Sequence, residues 1–143
     1  MSAHFYEQEI QSGLKNKRRL AGWLNGRVQH YLEGIRKVRL SYIFCSDEAL
    51  LKINREYLDH DTYTDIITFD MSENENEVVG EIYISAERVA ENAQRFSVSY
   101  ENELHRVIFH GMLHLCGFGD KKPAEKAEMR TAEDECLKAY FAA

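Results

Sequence analysis

The chain has 143 residues, of which 44% are hydrophobic and 29% charged, with a single proline and a net charge of −6. That length suits one domain spanning residues 1–143 with a real core, and the composition excludes a low-complexity or disordered chain. The net charge by itself argues against a nucleic-acid partner, yet residues 1–40 carry a net +5 and residues 41–143 a net −11, so a local basic patch could still meet phosphates.

Residues 4–10 alternate weakly and predict a first, edge strand. Residues 15–33 predict an amphipathic helix closed by Gly34, with Leu20, Leu24, Val28 and Tyr31 at helical spacing and Ile35 continuing the stripe just beyond. Basic side chains gather on this helix and just after it, Lys15, Lys17, Arg18, Arg19, Arg27, Arg36, Lys37 and Arg39, as the candidate phosphate-facing patch; a solvated helix face is the plain alternative. Residues 37–45 alternate Val38, Leu40, Tyr42 and Phe44 with other partners and predict a strand. Strand, helix, strand implies a parallel pair joined by a right-handed crossover. Ser46 reads as an N-cap, with Asp47 and Glu48 in the first turn of a second helix that carries Leu50, Ile53 and Tyr57. Residues 59–65 are a polar connection. Residues 66–71 and 78–85 read as an antiparallel hairpin around an acidic turn. Ser85 caps a short helix, Ser99 caps a longer one, and Pro123 opens a final helix running to about residue 140. The expectation is an α+β fold: a mixed four-stranded sheet with about five helices.

The longer helix carries the chemistry. His110 and His114 lie one turn apart, about 40° round the axis, close enough to share a metal ion. Gly117 is positioned to stop the helix and turn the chain back toward Asp120. The frame H-x-x-x-H-x-x-G-x-x-D has the ligand spacing of a zincin-like metal-binding helix, with aspartate third. A metalloprotease needs a glutamate directly after the first histidine; here that residue is Gly111. A glycine inside a helix costs roughly 1 kcal/mol against alanine, so the position needs room or a close backbone approach. The second half of this helix is apolar nearly all round and should cross the middle of the protein. His105 is too far round the helix to share the ion, and Cys116 faces the core. Cys45, Cys116 and Cys136 form no C-x-x-C pair and read as reduced thiols. No apolar run reaches membrane-span length and no signal segment opens the chain, so a cytoplasmic protein without a membrane partner is expected.

HGMLHLCGFGD (residues 110–120), INREYLDHDTYTDIITF (53–69), GEIYIS (80–85) and the Met129–Glu133 pair together resemble the YbeY family of single-domain, metal-dependent endoribonucleases. The resemblance covers most of the chain. It implies a zinc-dependent, single-strand-specific endoribonuclease acting in rRNA maturation at the 3′ end of 16S rRNA and in ribosome quality control. It implies one zinc per chain on His110, His114 and Asp120, with small-subunit rRNA and the ribosome as partners and no DNA. Three positions depart from the family pattern. Asp120 stands for a histidine, which a zinc site accepts. Leu58 stands where the family carries an arginine able to stabilise charge on a phosphate; Arg55, one turn earlier, is the candidate replacement. Glu81 stands for an aspartate. Proton transfer is assigned to Glu81, to Glu133 or to the RNA itself, Glu133 being alternatively the group that orients a ligand imidazole. Thr64 and Thr68 are candidate RNA contacts, and His60 is a distant candidate for a fourth ligand. The rival readings are a non-catalytic, zinc-containing ribosome-associated factor and, from the zincin frame alone, a metallopeptidase.

Overall fold

The computed structural model describes residues 2–142. The elements follow the expected order: β1 (Ala3–Glu7), α1 (Lys17–Tyr31), β2 (Lys37–Cys45), α2 (Asp47–Leu58), β3 (Ile66–Asp70), β4 (Glu77–Ser85), α3 (Ala86–Arg95), α4 (Tyr100–Leu115) and α5 (Pro123–Ala142). The four strands make one mixed sheet in the order β1-β2-β4-β3. β1 and β4 both run parallel to β2, and β3 pairs antiparallel with β4. The domain is α+β, as its pattern predicts, and β1 is an edge.

Local chemistry explains most boundaries. The side chains of Ser46, Ser85 and Ser99 each accept a hydrogen bond from the backbone N–H three residues on, capping α2, α3 and α4. β1 stops at Glu7, short of the expected residue 10. The Glu7 carboxylate accepts from the backbone and hydroxyl of Ser12, at 2.6 and 2.8 Å, and Glu9 adopts φ 61°, which bends the chain off the sheet. α1 is shorter than expected at both ends. Asn16 before it sits in the left-handed region, and Leu32 after it is already extended.

The strands' two-residue period divides the core. Leu40, Tyr42 and Phe44 of β2 pair with Gly80, Ile82 and Ile84 of β4, and their side chains join the main cluster with α1, α4 and α5. The opposite face carries a smaller cluster under α2, built on Cys45, Leu50 and Ile67 with Phe69 and Tyr83 against it. α4 runs through the main core, burying Leu104, Val107, Ile108, Phe109, Met112, Leu113 and Leu115.

α4 touches the sheet through two glycines. A Cβ on Gly80 would meet Leu115 Cδ1 at 2.6 Å and the Phe69 carbonyl oxygen at 2.9 Å. A Cβ on Gly111 would meet Ile82 Cγ2 at 2.9 Å and Ile66 Cδ1 at 3.2 Å. The close approach expected at Gly111 is therefore a helix-to-sheet contact. The Tyr42 hydroxyl donates across it to the Ile108 carbonyl at 2.8 Å.

Gly80→Ala and Gly111→Ala should each lower stability in urea titration by about 1–3 kcal/mol through overpacking. Gly80→Ala should cost more, because one of its obstacles is backbone. Gly22→Ala and Gly26→Ala in α1, where a Cβ meets nothing within 4 Å, should raise stability by about 0.5–1 kcal/mol. A Gly80→Ala protein as stable as the parent would show that the contact is loose.

Candidate metal centre

α4 ends in a Schellman turn. Gly117 N–H donates to the His114 carbonyl at 3.0 Å and Phe118 N–H to the Leu113 carbonyl at 3.1 Å, with Gly117 at φ 106°. The chain then doubles back, and Asp120 Oδ2 comes to 3.7 Å from His110 Nε2. On the other side of the ring, Glu133 Oε2 of α5 accepts from His110 Nδ1 at 2.7 Å. In the neutral ring that bond places the proton on Nδ1 and turns the Nε2 lone pair toward Asp120.

Glu133 is buried and serves two donors. Its Oε1 accepts from Arg106 Nη1 at 2.9 Å, while Arg106 Nη2 reaches Asp134 Oδ1 at 2.6 Å. Burial works against a charged His110, but the Glu133 hydrogen bond and charge, with Asp120 and Asp65 nearby, outweigh it and raise the imidazole pKa. Burial also pushes up the carboxyl groups of Asp65 and Glu103, the first tempered by His110 and the second reinforced by Asp65.

Two hollows meet at His110 and Asp120. The larger, about 500 Å³, is lined by Leu58, His60, Tyr63, Thr68, His114 and Lys121 among others. The smaller, about 380 Å³, runs past Asp65, Phe96, Glu103, Arg106, Arg130 and Glu133. Thr64 and Ile66 line both. His110, His114 and Asp120 thus face one hollow. Among the described residues no three His, Cys, Asp or Glu side chains converge as a ready-made ion cage. In donor type the residues fit zinc: a lone-pair imidazole nitrogen held by a buried carboxylate, a second imidazole one turn on, and a carboxylate opposite.

Other expected site residues lie elsewhere. Glu81 is an odd-numbered residue of β4, while the even-numbered Ile82 faces Gly111. Glu81 therefore points to the other sheet face, where it accepts from the Tyr83 hydroxyl at 3.1 Å and lines a separate groove beside α2. The structure does not bring it to the histidines, which corrects its assignment to proton transfer there. Arg55 pairs with Asp61 and lines neither hollow, so it does not replace the missing arginine, and Leu58 leaves an apolar wall in its place. The basic residues of α1 also line neither hollow; Arg19 lies over the Tyr140 ring and Arg27 over Trp23 and Tyr31. Asp65, Arg106, Lys121 and Arg130 were not singled out from sequence. Helical spacing offered a signal for two of them: Arg106 is four residues before His110, and Arg130 three before Glu133.

The third histidine of α4, His105, belongs to the core. Its Nδ1 lies 2.8 Å from the Glu101 carbonyl, and its ring stacks on Tyr140.

A family model described as "Endoribonuclease YbeY" matches residues 5–141. The chain is 44% identical over 137 residues to a Parabacteroides distasonis protein of that name, covering 96% of this chain and 94% of the other. It is 47% identical over 133 residues to another from Cytophaga hutchinsonii, covering 93% and 92%. The fold is similar to the solution structure of TM1509 from Thermotoga maritima, with a TM-score of 0.64 and 25% identity over 98% of this chain and 89% of that one.

Glu133→Ala leaves Arg106 with only the exposed Asp134 as partner and frees the His110 ring; denaturant titration should show a loss of about 1–3 kcal/mol. Replacing both partners, Glu133→Leu with Arg106→Met, should recover most of it. A loss under about 1 kcal/mol for the single variant would mean that the pair is solvated. Burial holds the His105 pKa below its ordinary 6.5. The unfolded chain therefore takes up this proton first, and the stability it contributes, complete above about pH 6.5, is lost as pH falls toward the folded value. His105→Gln should lose less stability than the parent between pH 7 and pH 5; equal losses would place the acid sensitivity elsewhere.

Proposed function

The chain belongs to the endoribonuclease YbeY family, and on that premise we propose that it is a zinc-dependent endoribonuclease cutting single-stranded RNA. Its place is the cytoplasm, its substrate the 3′ end of 16S rRNA during maturation, and its wider setting ribosome quality control with the ribosome as partner. The observation that carries this reading is the His110–Asp120 approach at the junction of two hollows, with the imidazole oriented by Glu133. Among the described residues no helix is long and apolar enough to cross a membrane.

His110, His114 and Asp120 would hold the ion. Bound there, one zinc per chain supplies Lewis-acid chemistry at a phosphoryl oxygen. The chain's own groups do the rest. Glu133 fixes the tautomer and direction of His110. Asp65, whose carboxyl is pushed up by burial, lines the same hollow as His110 and can hold or accept a proton there, the role that Glu81's position on the far face denies it. The Thr64 and Thr68 hydroxyls line the larger hollow and can donate to phosphate or to a ribose 2′-hydroxyl. A peptidase reading fails on sterics: the position where the catalytic glutamate belongs faces Ile82 and Ile66, and even a Cβ there is crowded.

The test uses a 3′-extended small-subunit rRNA fragment, the purified protein and its His114→Ala variant, each with and without chelator. We expect cleavage by the parent that both chelator and His114→Ala reduce at least about a hundredfold. Equal cleavage by parent and variant would overturn the reading. No cleavage by either, at one zinc per chain, would replace it with a non-catalytic ribosome-associated factor.

A further inference from the structure

The hollows on the two sides of His110 and Asp120 share one pairing of side chains, although the smaller is also lined by Asp65, Glu103 and Glu133. Each is lined by a cation that makes no side-chain hydrogen bond or ion pair among the described residues, and by an exposed aromatic ring. On one side these are Lys121 and Tyr63, the residue 49% exposed with its hydroxyl donating to Glu48 at 2.7 Å. On the other they are Arg130 and Phe96, the residue 52% exposed. The remaining cation of the smaller hollow, Arg106, is already engaged by Glu133 and Asp134. Arg130 and Glu103 line that hollow together. Arg88 lies over Tyr63 at 5.1 Å and Arg95 over Phe96 at 5.9 Å, so each ring also borders a guanidinium.

A cation beside an exposed ring is the combination that binds one nucleotide of a single strand: the charge takes the phosphate, and the ring takes the base by stacking. Resting on the RNA-cutting reading above, we infer that the strand crosses the centre from one hollow to the other, with one phosphate on Lys121 and one on Arg130 and the flanking bases against Tyr63 and Phe96. The scissile phosphate lies between these two anchors, over His110 and Asp120. The anchors grip the backbone, so they act alike on every base sequence. Duplex RNA, whose bases are stacked and paired, cannot present them to the rings.

The test is binding of a fluorescein-labelled ten-nucleotide single-stranded RNA, followed by anisotropy in chelator across a KCl series. Arg130→Ala and Lys121→Ala should each weaken binding about threefold or more at low salt, for any base sequence, and flatten the log–log salt slope by about 0.7, the value of one phosphate contact to a single strand. Arg130→Lys should restore the slope. Phe96→Ala should weaken binding about fivefold or more with the slope unchanged. Lys52→Ala, on the α2 face of the sheet, should bind as the parent does. If the parent cuts RNA but Arg130→Ala or Lys121→Ala keeps the parent slope, the two-sided track is wrong and the nuclease reading stands. A parent that neither binds nor cuts RNA overturns both.

Discussion

The distance between α4 and the sheet governs this structure. Gly80 leaves room for Leu115, and Gly111 leaves room for Ile82 and Ile66, so the helix lies closer to the strands than any side chain at either position would allow. Close packing of this kind tolerates little added volume. It brings the last turns of α4 beside β3, the edge strand opposite β1, where the connection before β3 supplies Thr64 and Asp65 to the hollow at His110. The same constraint decides the chemistry. A glutamate after the first histidine would have to be driven into Ile82 and Ile66, so the fold excludes the base of a metalloprotease by volume before any question of charge arises.

Glu133 is the costly element. A carboxylate at 6% exposure has lost most of its water, and it persists because Arg106 and His110 each give it a hydrogen bond. Pairs of this kind are seldom a net source of stability. What this one provides is direction: an imidazole fixed at Nδ1 presents Nε2 to Asp120 at one angle only. α5 makes the arrangement available by docking through Met129, Ala132, Cys136, Leu137 and Tyr140, which turns Glu133 inward on the same face as Met129.

The fold was legible because its signals are local. Alternation in β2, the apolar stripe of α1, three serine caps and the apolar second half of α4 each depend on a few neighbouring residues. The His110 and His114 pairing and the Gly117 turn were readable for the same reason. Glu81 shows where that stops. A strand pattern says that neighbours alternate faces, but which face looks at α4 depends on the helix's position, and Gly80 and Gly111 set that only in three dimensions. Arg55 shows a second limit: helical spacing placed it near Leu58, while the loop residue Asp61 captured its guanidinium. Arg130 reaches the hollow beside His110 only through the docking of α5, which its spacing from Glu133 hints at but does not encode.

The distribution of cations bears on how an acidic protein can meet RNA at all. The net positive segment is the N-terminal forty residues, yet two of its arginines are spent on Tyr140, Trp23 and Tyr31, and none lines the cleft. The cations that do line it, Arg106, Lys121 and Arg130, come from the net negative remainder. Asp65, Glu103, Asp120 and Glu133 line the same hollows, and electrostatic attraction at physiological salt acts over about 8 Å, so these cations can draw only a phosphate set directly against them inside the cleft. Beyond that range the protein repels a polyanion. A surface arranged in this way holds little RNA by charge alone and depends on stacking and on the centre for affinity. On the proposed track a flexible, unpaired strand enters the cleft and satisfies both hollows at once, whereas a stiff duplex stays outside, where the net charge opposes it.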